Sequence, residues 1–349
     1  KQDYVNKDLL VAGTEFGCYF SNDAGTSWTK LNGLPTIAVY DIELHKRESD
    51  IVVATFGRGF YVLDDYSPLR TLNTQLLNEE AVLYPIKDAK LYIPSSPLGL
   101  TGTGSQGADL WAASNSEFGA TFSLYLKDVK GSLKDERQKQ QSELEKKKSP
   151  VDYPSFESLR EEANEDKTQL MWLIKNDSGV EIKRILSSPK KGLQRISWDL
   201  RSESTSPIQL SKSTPGRYSS PDNGFMVNPG KYSVEVKLIK DGVISNLIEK
   251  TDFVVVGLNN QTKKNESIEL VEFRTKVAEL KRKMDGTSRL ISEMNEKLSF
   301  YEHAILNYPK TDLALLKNTE SIKITMNELQ VRFWGDGLKA SHEFETAPS

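Results

Sequence analysis

One eight-residue segment constrains the fold of this chain more than any other. Residues 21–28 read Ser-Asn-Asp-Ala-Gly-Thr-Ser-Trp and match the pattern S-x-D-x-G-x-[ST]-W at every defined position. Ser21 and Asp23 can hydrogen-bond to the backbone of a turn, Gly25 permits a positive φ, and Trp28 offers a ring that packs the hairpin on a neighbouring sheet. The segment therefore predicts a rigid β-hairpin among packed sheets.

Short strand patterns surround this hairpin as far as residue 68. Apolar runs, alternating or continuous, occupy residues 9–14, 16–20, 39–45, 51–55 and 60–63. Short strands separated by frequent turns are typical of β-sandwiches and of β-propeller blades.

The turn pattern and its surroundings together resemble a known repeat. The 21–28 segment looks like the Asp-box, or BNR repeat, and residues 11–17 and 52–65 are similar to the closing blades of large sortilin-like propeller proteins, often labelled glycosyl hydrolases in bacteria. The resemblance implies that residues 1–68 form the last blade or blades of a propeller. A closed propeller needs at least about four blades, so we expect the remaining blades on a preceding segment or on a separate, cleaved chain.

The same resemblance implies a structural role for the repeat. In sialidases, which also carry Asp-boxes, the box lies away from the active site. Ser21, Asp23, Gly25 and Trp28 are therefore expected to support the fold and not to catalyse.

Residues 69–258 form a second strand-rich region. A hairpin pattern at 169–186 has its turn at 176–179, and further strands are predicted at 193–201 and between 228 and 256. These strands resemble small Ig-like domains appended to bacterial surface proteins, which act as spacers or docking modules. We predict an Ig-like or fibronectin-like β-sandwich. Its insertion at about 127–167 is rich in Lys, Glu, Asp, Gln and Ser, which predicts a solvated helix or a mobile insert, with a partner-binding arm as the alternative.

Residues 259–349 are predicted to form a helical hairpin and C-terminal tail. An apolar seam at alternating spacings of three and four runs from Leu270 to Ile305, Pro309 ends the helix, and a second helix is expected at about 312–333. The seam is expected to pack within the hairpin or against the Ig-like domain, and oligomerisation is the alternative. The predicted fold is thus mainly β with an α-helical tail.

Composition limits the partners. Lys+Arg 46 against Asp+Glu 49 gives a net charge of -3, which argues against a nucleic-acid partner. No apolar run of 18 residues occurs, so no membrane span is predicted. A single cysteine, Cys18, and three histidines leave little material for a disulfide or a zinc site. We expect neither a metal nor a cofactor.

Catalytic motifs are weak throughout. The G-x-G-x-x-G match at 102–107 lacks a surrounding βαβ unit and is interpreted as a flexible loop. Glu15 and Arg58, near loops of the predicted propeller, are the candidate ligand-facing pair, and no catalytic residue is assigned.

Three functions remain open. The first is a non-catalytic portion of an extracellular, cell-surface or periplasmic propeller protein that scaffolds binding of a surface protein or a glycan. The second is part of a BNR-type glycoside hydrolase whose catalytic residues lie on blades outside this chain. The third is an accessory subunit of a surface complex, docked through the insertion or the seam.

Overall fold

The computed structural model describes residues 1–73, 75–94, 113–129, 131–208, 224–258 and 264–342, so the loop predicted at 102–107 lies outside the described residues. Most strands lie in antiparallel sheets and the C-terminal part is helical, as expected for a mainly β chain with a helical tail. The chain divides into two compact units. The first consists of Lys1–Arg201 with Met226–Asn260, and the second of Ser202–Phe225 with Gln261–Ser349.

Two three-stranded antiparallel sheets begin the first unit. Their strands, in sheet order, are β1 (Leu10–Thr14), β2 (Gly17–Ser21) and β3 (Thr29–Lys30), then β4 (Val39–His45), β5 (Asp50–Thr55) and β6 (Phe60–Leu63). The N-terminal residues extend the first sheet, because Lys1 exchanges two backbone hydrogen bonds of 2.8 Å with Val11. That sheet therefore has four aligned segments.

One apolar core joins these two sheets. It is built from alternate residues of the strands and from Tyr66, as the period-two pattern predicts; the buried members are Leu9, Val11, Cys18, Phe20, Ile42, Leu44, Ile51, Val53 and Tyr66. A Cβ on Gly13 would lie 2.5 Å from Cγ1 of Val39, so glycine permits β1 to approach β4 closely. Burial raises the pKa of the Cys18 thiol to about 11, which keeps it protonated as a small core residue.

The described part of the first unit continues with two more sheets, three α-helices and a 3-10 turn. The elements are α1 (Pro68–Thr71), a 3-10 turn (Leu76–Asn78), β7 (Ala81–Leu83), β8 (Ala89–Leu91), β9 (Ala120–Leu126), α2 (Leu133–Lys146), α3 (Phe156–Asn164), β10 (Gln169–Asn176), β11 (Glu181–Ser187), β12 (Gly192–Trp198), β13 (Gly230–Lys240) and β14 (Val243–Gly257). One sheet has the order β12-β9-β7 and the other β11-β10-β13-β14-β8, in which β14 and β8 are parallel.

These two sheets share a second apolar core that is rich in aromatic rings. Phe122 stacks on Trp172 at 5.8 Å between ring centroids, and Trp198 meets Phe253 edge-on at 6.1 Å. The indole N–H groups are satisfied inside the core: that of Trp172 donates to Oγ of Ser187 at 3.0 Å. The predicted hairpin is present as β10 and β11, and the predicted strand after it as β12.

The charged insertion forms two helices, α2 and α3, neither of which has a buried residue. Ser132 and Asp135 form a capping box at the start of α2. Arg137 of α2 donates to both carboxylate oxygens of Glu162 on α3, at 2.5 and 2.9 Å. The insertion was predicted to be either a solvated helix or a mobile insert. The structure shows two solvated helices, which one bidentate ion pair links.

The second unit is built on α4 (Lys264–Asn307) and α5 (Leu315–Trp334), followed by the short α6 (Gly337–Ser341). α4 ends two residues before Pro309 and runs through Gly286 without a break. Ile291, Leu298 and Met326 form the core of this hairpin, with Phe333 packed beside them. Among the described residues, no helix combines the length and the apolar character required to cross a bilayer.

Candidate functional site

The 21–28 turn is held by a compact set of short-range hydrogen bonds. Oδ1 of Asp23 accepts from the backbone N–H of Ser27 at 2.8 Å and from the hydroxyl of Ser21 at 2.7 Å. The Ser21 hydroxyl oxygen in turn accepts from the N–H of Gly25 at 2.8 Å. Gly25 has φ +93°, as expected for its position. The repeat pattern thus closes the β2–β3 hairpin with bonds that span at most four residues.

The same contacts set the charge of Asp23. Hydrogen bonds from the Ser27 side chain, the Ser27 backbone and the Ser21 side chain hold the pKa of the exposed Asp23 carboxyl down to about 2. Its carboxylate is therefore ionised at neutral pH and is committed to the turn. Such a group does not have the near-neutral pKa of a general acid or base.

The Asp23→Ala variant should destabilise the hairpin. The Ser27 backbone N–H and the Ser21 hydroxyl would both lose the Asp23 carboxylate that accepts from them. We therefore expect Tm to fall by about 3–6 °C, the size of effect known for lost capping bonds. Glu15→Ala is the matched control, since Glu15 is an exposed acid of the preceding turn, and it should leave Tm within about 1 °C. Equal Tm values for the two variants in calorimetry would show that the Asp23 bonds do not stabilise the 21–28 turn.

Trp28 lies beside an open groove. Its indole N–H donates to the carbonyl of Gly25 at 3.1 Å, and 45% of the residue remains exposed. The groove measures about 650 Å³ and is lined by Trp28 and Tyr40 together with Lys1, Gln2 and Asp41. Two exposed rings beside charged and amide groups could hold a small polar ligand.

The predicted ligand-facing pair occupies two different turns. Glu15 lies in the β1–β2 turn and Arg58 in the β5–β6 turn, and both are exposed. No hydrogen bond or ion pair joins these two described residues, and neither lines the groove. Their role as a ligand-facing pair stays a prediction.

The β4-β5-β6 sheet carries apolar side chains on the side that faces away from the core. Val52 and Ala54 lie opposite Val62 and Phe60 in the register, so these four side chains share the face that turns away from the core. Phe60 is 75% exposed and Val62 56%. Tyr40 and Phe56, also exposed, contact each other edge-on at 5.5 Å between ring centroids. We call Val52, Ala54, Phe60 and Val62 the outer face.

A buried ionic cluster, which no sequence pattern indicated, adjoins the first apolar core at Tyr66. The carboxylate of Asp3, with no exposed side-chain surface, accepts from Nε and Nη2 of Arg70 at 2.9 and 3.0 Å. It also accepts from the Tyr66 hydroxyl at 2.5 Å, and the guanidinium lies over the Tyr4 and Tyr66 rings at 4.7 and 4.9 Å. No local pattern could have revealed it, because Asp3 and Arg70 are 67 residues apart.

Polar contacts also link the first sheets to the later ones within the first unit. Lys87 and Lys90 both bind Glu48, and the guanidinium of Arg195 on β12 donates to the backbone carbonyls of Asp64 and Asp65. No group of three or more His, Cys, Asp or Glu side chains in the described part of the chain is placed to hold a metal ion.

Comparison of the chain with protein-family models, with curated proteins and with solved structures found no match.

Proposed function

We propose that this chain is a non-catalytic scaffold module of an extracellular or cell-surface BNR-repeat protein, in which residues 1–68 are terminal blades of a β-propeller and residues 69–258 an Ig-like domain. The observation that carries the proposal is the outer face. Ile51 and Val53 are buried on one side of the β4-β5-β6 sheet, while Phe60 and Val62 are exposed on the other.

The outward side of this sheet is apolar where β5 and β6 form it, whereas β4 adds the charged Asp41 and Glu43 to the same side. The apolar part of that side is favoured next to another layer. Antiparallel sheets that border water have one polar face, whereas each blade of a propeller has a neighbour on both sides. A contiguous exposed apolar patch on a folded protein is one sign of a surface that contacts another protein or a ligand. The Asp-box turn, formed with the full set of bonds its pattern implies, supports the same assignment.

The second candidate is part of a glycoside hydrolase, and the groove beside Trp28 and Tyr40 favours it. Aromatic rings next to polar groups suit a saccharide, and the carboxylate pair for hydrolysis would then lie on blades outside this chain. Turnover of a polysaccharide or sialoside by the protein purified from its native host would support this candidate.

Mass spectrometry of the protein from its native host tests the proposal. We expect either a denatured mass above 39.3 kDa or a companion chain that denaturant removes, and in both cases the additional sequence should contain further Asp-box repeats. A lone 39.3 kDa monomer would contradict the proposal.

Substitutions on the outer face show whether it is the contact surface. In a Phe60→Ser/Val62→Ser variant, a companion chain should be lost from the complex, or the blades of a longer chain should exchange amide hydrogens faster. Val180→Ser is the matched control, because Val180 is a comparably exposed apolar residue in the β10–β11 turn. If both variants behave like the wild type, the outer face does not contact other blades.

A further inference from the structure

α4 carries an apolar seam over most of its length, but α5 covers only the C-terminal half of it. In the C-terminal half of the seam, Ile291, Leu298 and Ile305 are buried, and Met326 of α5 packs in the same core as the first two. The alternate seam residues of this half, Met294 and Tyr301, remain 37% and 61% exposed, so α5 covers one of its two rows. At 1.5 Å per residue, the 44-residue α4 is about 66 Å long and the 20-residue α5 about 30 Å. The hairpin therefore leaves about half of α4 without a neighbouring helix from α5.

The uncovered half of the seam is continuous and exposed. It consists of Leu270, Phe273, Val277, Leu280 and Met284, which we call the open seam, and each of them is at least 40% exposed. Their spacings of three and four place them on one face of the helix. This face spans about 20 Å along the axis.

The opposite side of α4 already has a neighbour within the second unit. The guanidinium groups of Arg282 and Arg289 donate to the backbone carbonyls of Ser204 and Pro207 at 2.9 and 3.1 Å. In the heptad numbering of the seam, both arginines occupy the position farthest from it. The chain's own 202–208 segment thus lies away from the open seam.

Positive charge borders the open seam. Lys276, Lys281 and Lys283 are exposed and occupy the positions that flank it, with Glu269 as the acidic flanking residue at its N-terminal end. In the covered half, Glu302 occupies such a flanking position and forms an ion pair with Lys323 of α5. A helix lying on the open seam would place its own flanking residues against the three lysines in the same way.

This charge pattern selects the class of partner. A second copy of α4 in antiparallel register would bring lysine against lysine beside the seam, and like charges there oppose pairing. Acidic residues at the same places would be attracted. We propose that the open seam is the docking site of an amphipathic α-helix of another protein, four turns or more in length, with acidic residues flanking its apolar face. The proposal does not depend on the propeller assignment.

Two synthetic peptides test the proposal on the full chain. Both are labelled helical peptides of three heptads with leucine at the seam positions, one with glutamate and the other with lysine at the flanking positions. Fluorescence anisotropy should show saturable binding of the glutamate peptide, at least about tenfold tighter than that of the lysine peptide, and weakened by salt. Equal affinities, or no binding of either peptide, would overturn the proposal.

Variants locate the binding surface. Val277→Ser/Leu280→Ser should weaken binding of the glutamate peptide by at least about tenfold, because exposed seam leucine and valine contribute contact area and not stability of the fold. Ile324→Ser, an equally exposed site on α5, is the control and should bind like the wild type. Lys276→Glu/Lys281→Glu/Lys283→Glu should reverse the preference to the lysine peptide. Concentration-dependent dimerisation that is lost in the Val277→Ser/Leu280→Ser variant would identify a second copy as the occupant and refute the proposal.

Discussion

Gly119→Ala should unfold the later sheets of the first unit or destabilise them by more than about 4 kcal/mol. Gly119 has φ +120° directly before β9, and a Cβ there would lie 1.8 Å from the backbone oxygen of Trp198. The obstacle is backbone and cannot rotate away as a side chain would. Because Trp198 pairs with Ala120 in the register and is fully buried, relief of the clash must displace a core residue.

Gly192→Ala is the matched control for this prediction. Gly192 begins β12, has φ +88°, and has no atom within 4 Å of its Cβ position. The free energy of unfolding of Gly192→Ala should therefore fall only by the penalty of placing alanine in the left-handed conformation, about 1–2 kcal/mol. Urea unfolding followed by tryptophan fluorescence measures both variants. If the free energies of unfolding of Gly119→Ala and Gly192→Ala differ by less than about 1 kcal/mol, the backbone contact at Gly119 relaxes without cost.

Local chemistry made part of the fold predictable. The Asp23 bonds span at most four residues, and the β10–β11 hairpin turns at Asn176–Gly179, where a glycine with φ +78° accommodates the bend. Strand patterns of period two likewise placed the buried residues of β4 and β5 on one face. Each of these features depends on neighbours in sequence, which is why sequence analysis could identify it.

Features that depend on distant segments were not predictable. The parallel pairing of β8 with β14 joins residues more than 160 positions apart, and the contact of Gly119 with Trp198 requires the register of two separated strands. The heptad pattern of α4 forms one continuous seam, and the second helix predicted at about 312–333 is too short to cover all of it. Whether another segment of the chain covers the remainder was not predictable, and only the structure shows that the open seam is exposed.

The candidate functional surfaces also differ in whether the sequence alone could identify them. The turn around Asp23 was identified from its motif, whereas the outer face required the register of β5 and β6 to show that Phe60 and Val62 share a side. Glu15 and Arg58 were selected for their place in loops, and the structure positions them in separate turns without a mutual contact. Sequence position therefore indicates which loop carries a charged residue but not which charges meet.

Asp3→Asn should destabilise the first sheets by about 3–5 kcal/mol at neutral pH, because it leaves the largely buried guanidinium of Arg70 without its counter-charge. Burial alone would raise the pKa of Asp3, but hydrogen bonds from Arg70, the Asn6 backbone and Tyr66 outweigh it and hold the pKa at about 2. The ordinary value is 3.8. The folded state therefore gains stability above pH 4, and this gain, about 2 kcal/mol, disappears as the pH falls towards 2.

The pH dependence separates this cluster from the other acids. Urea unfolding of the wild type and of Asp3→Asn should differ most above pH 4, and the difference should narrow by about 2 kcal/mol between pH 4 and pH 2. Asp23 also has a pKa near 2, but it is present in both proteins and cancels in the comparison. Glu43→Gln, which removes the charge of an exposed ion-pair partner of Lys1, should cost less than about 1 kcal/mol. A constant difference between wild type and Asp3→Asn from pH 7 to pH 2 would mean that the charge of Asp3 does not stabilise the fold, and that the variant acts only through its altered hydrogen bonds.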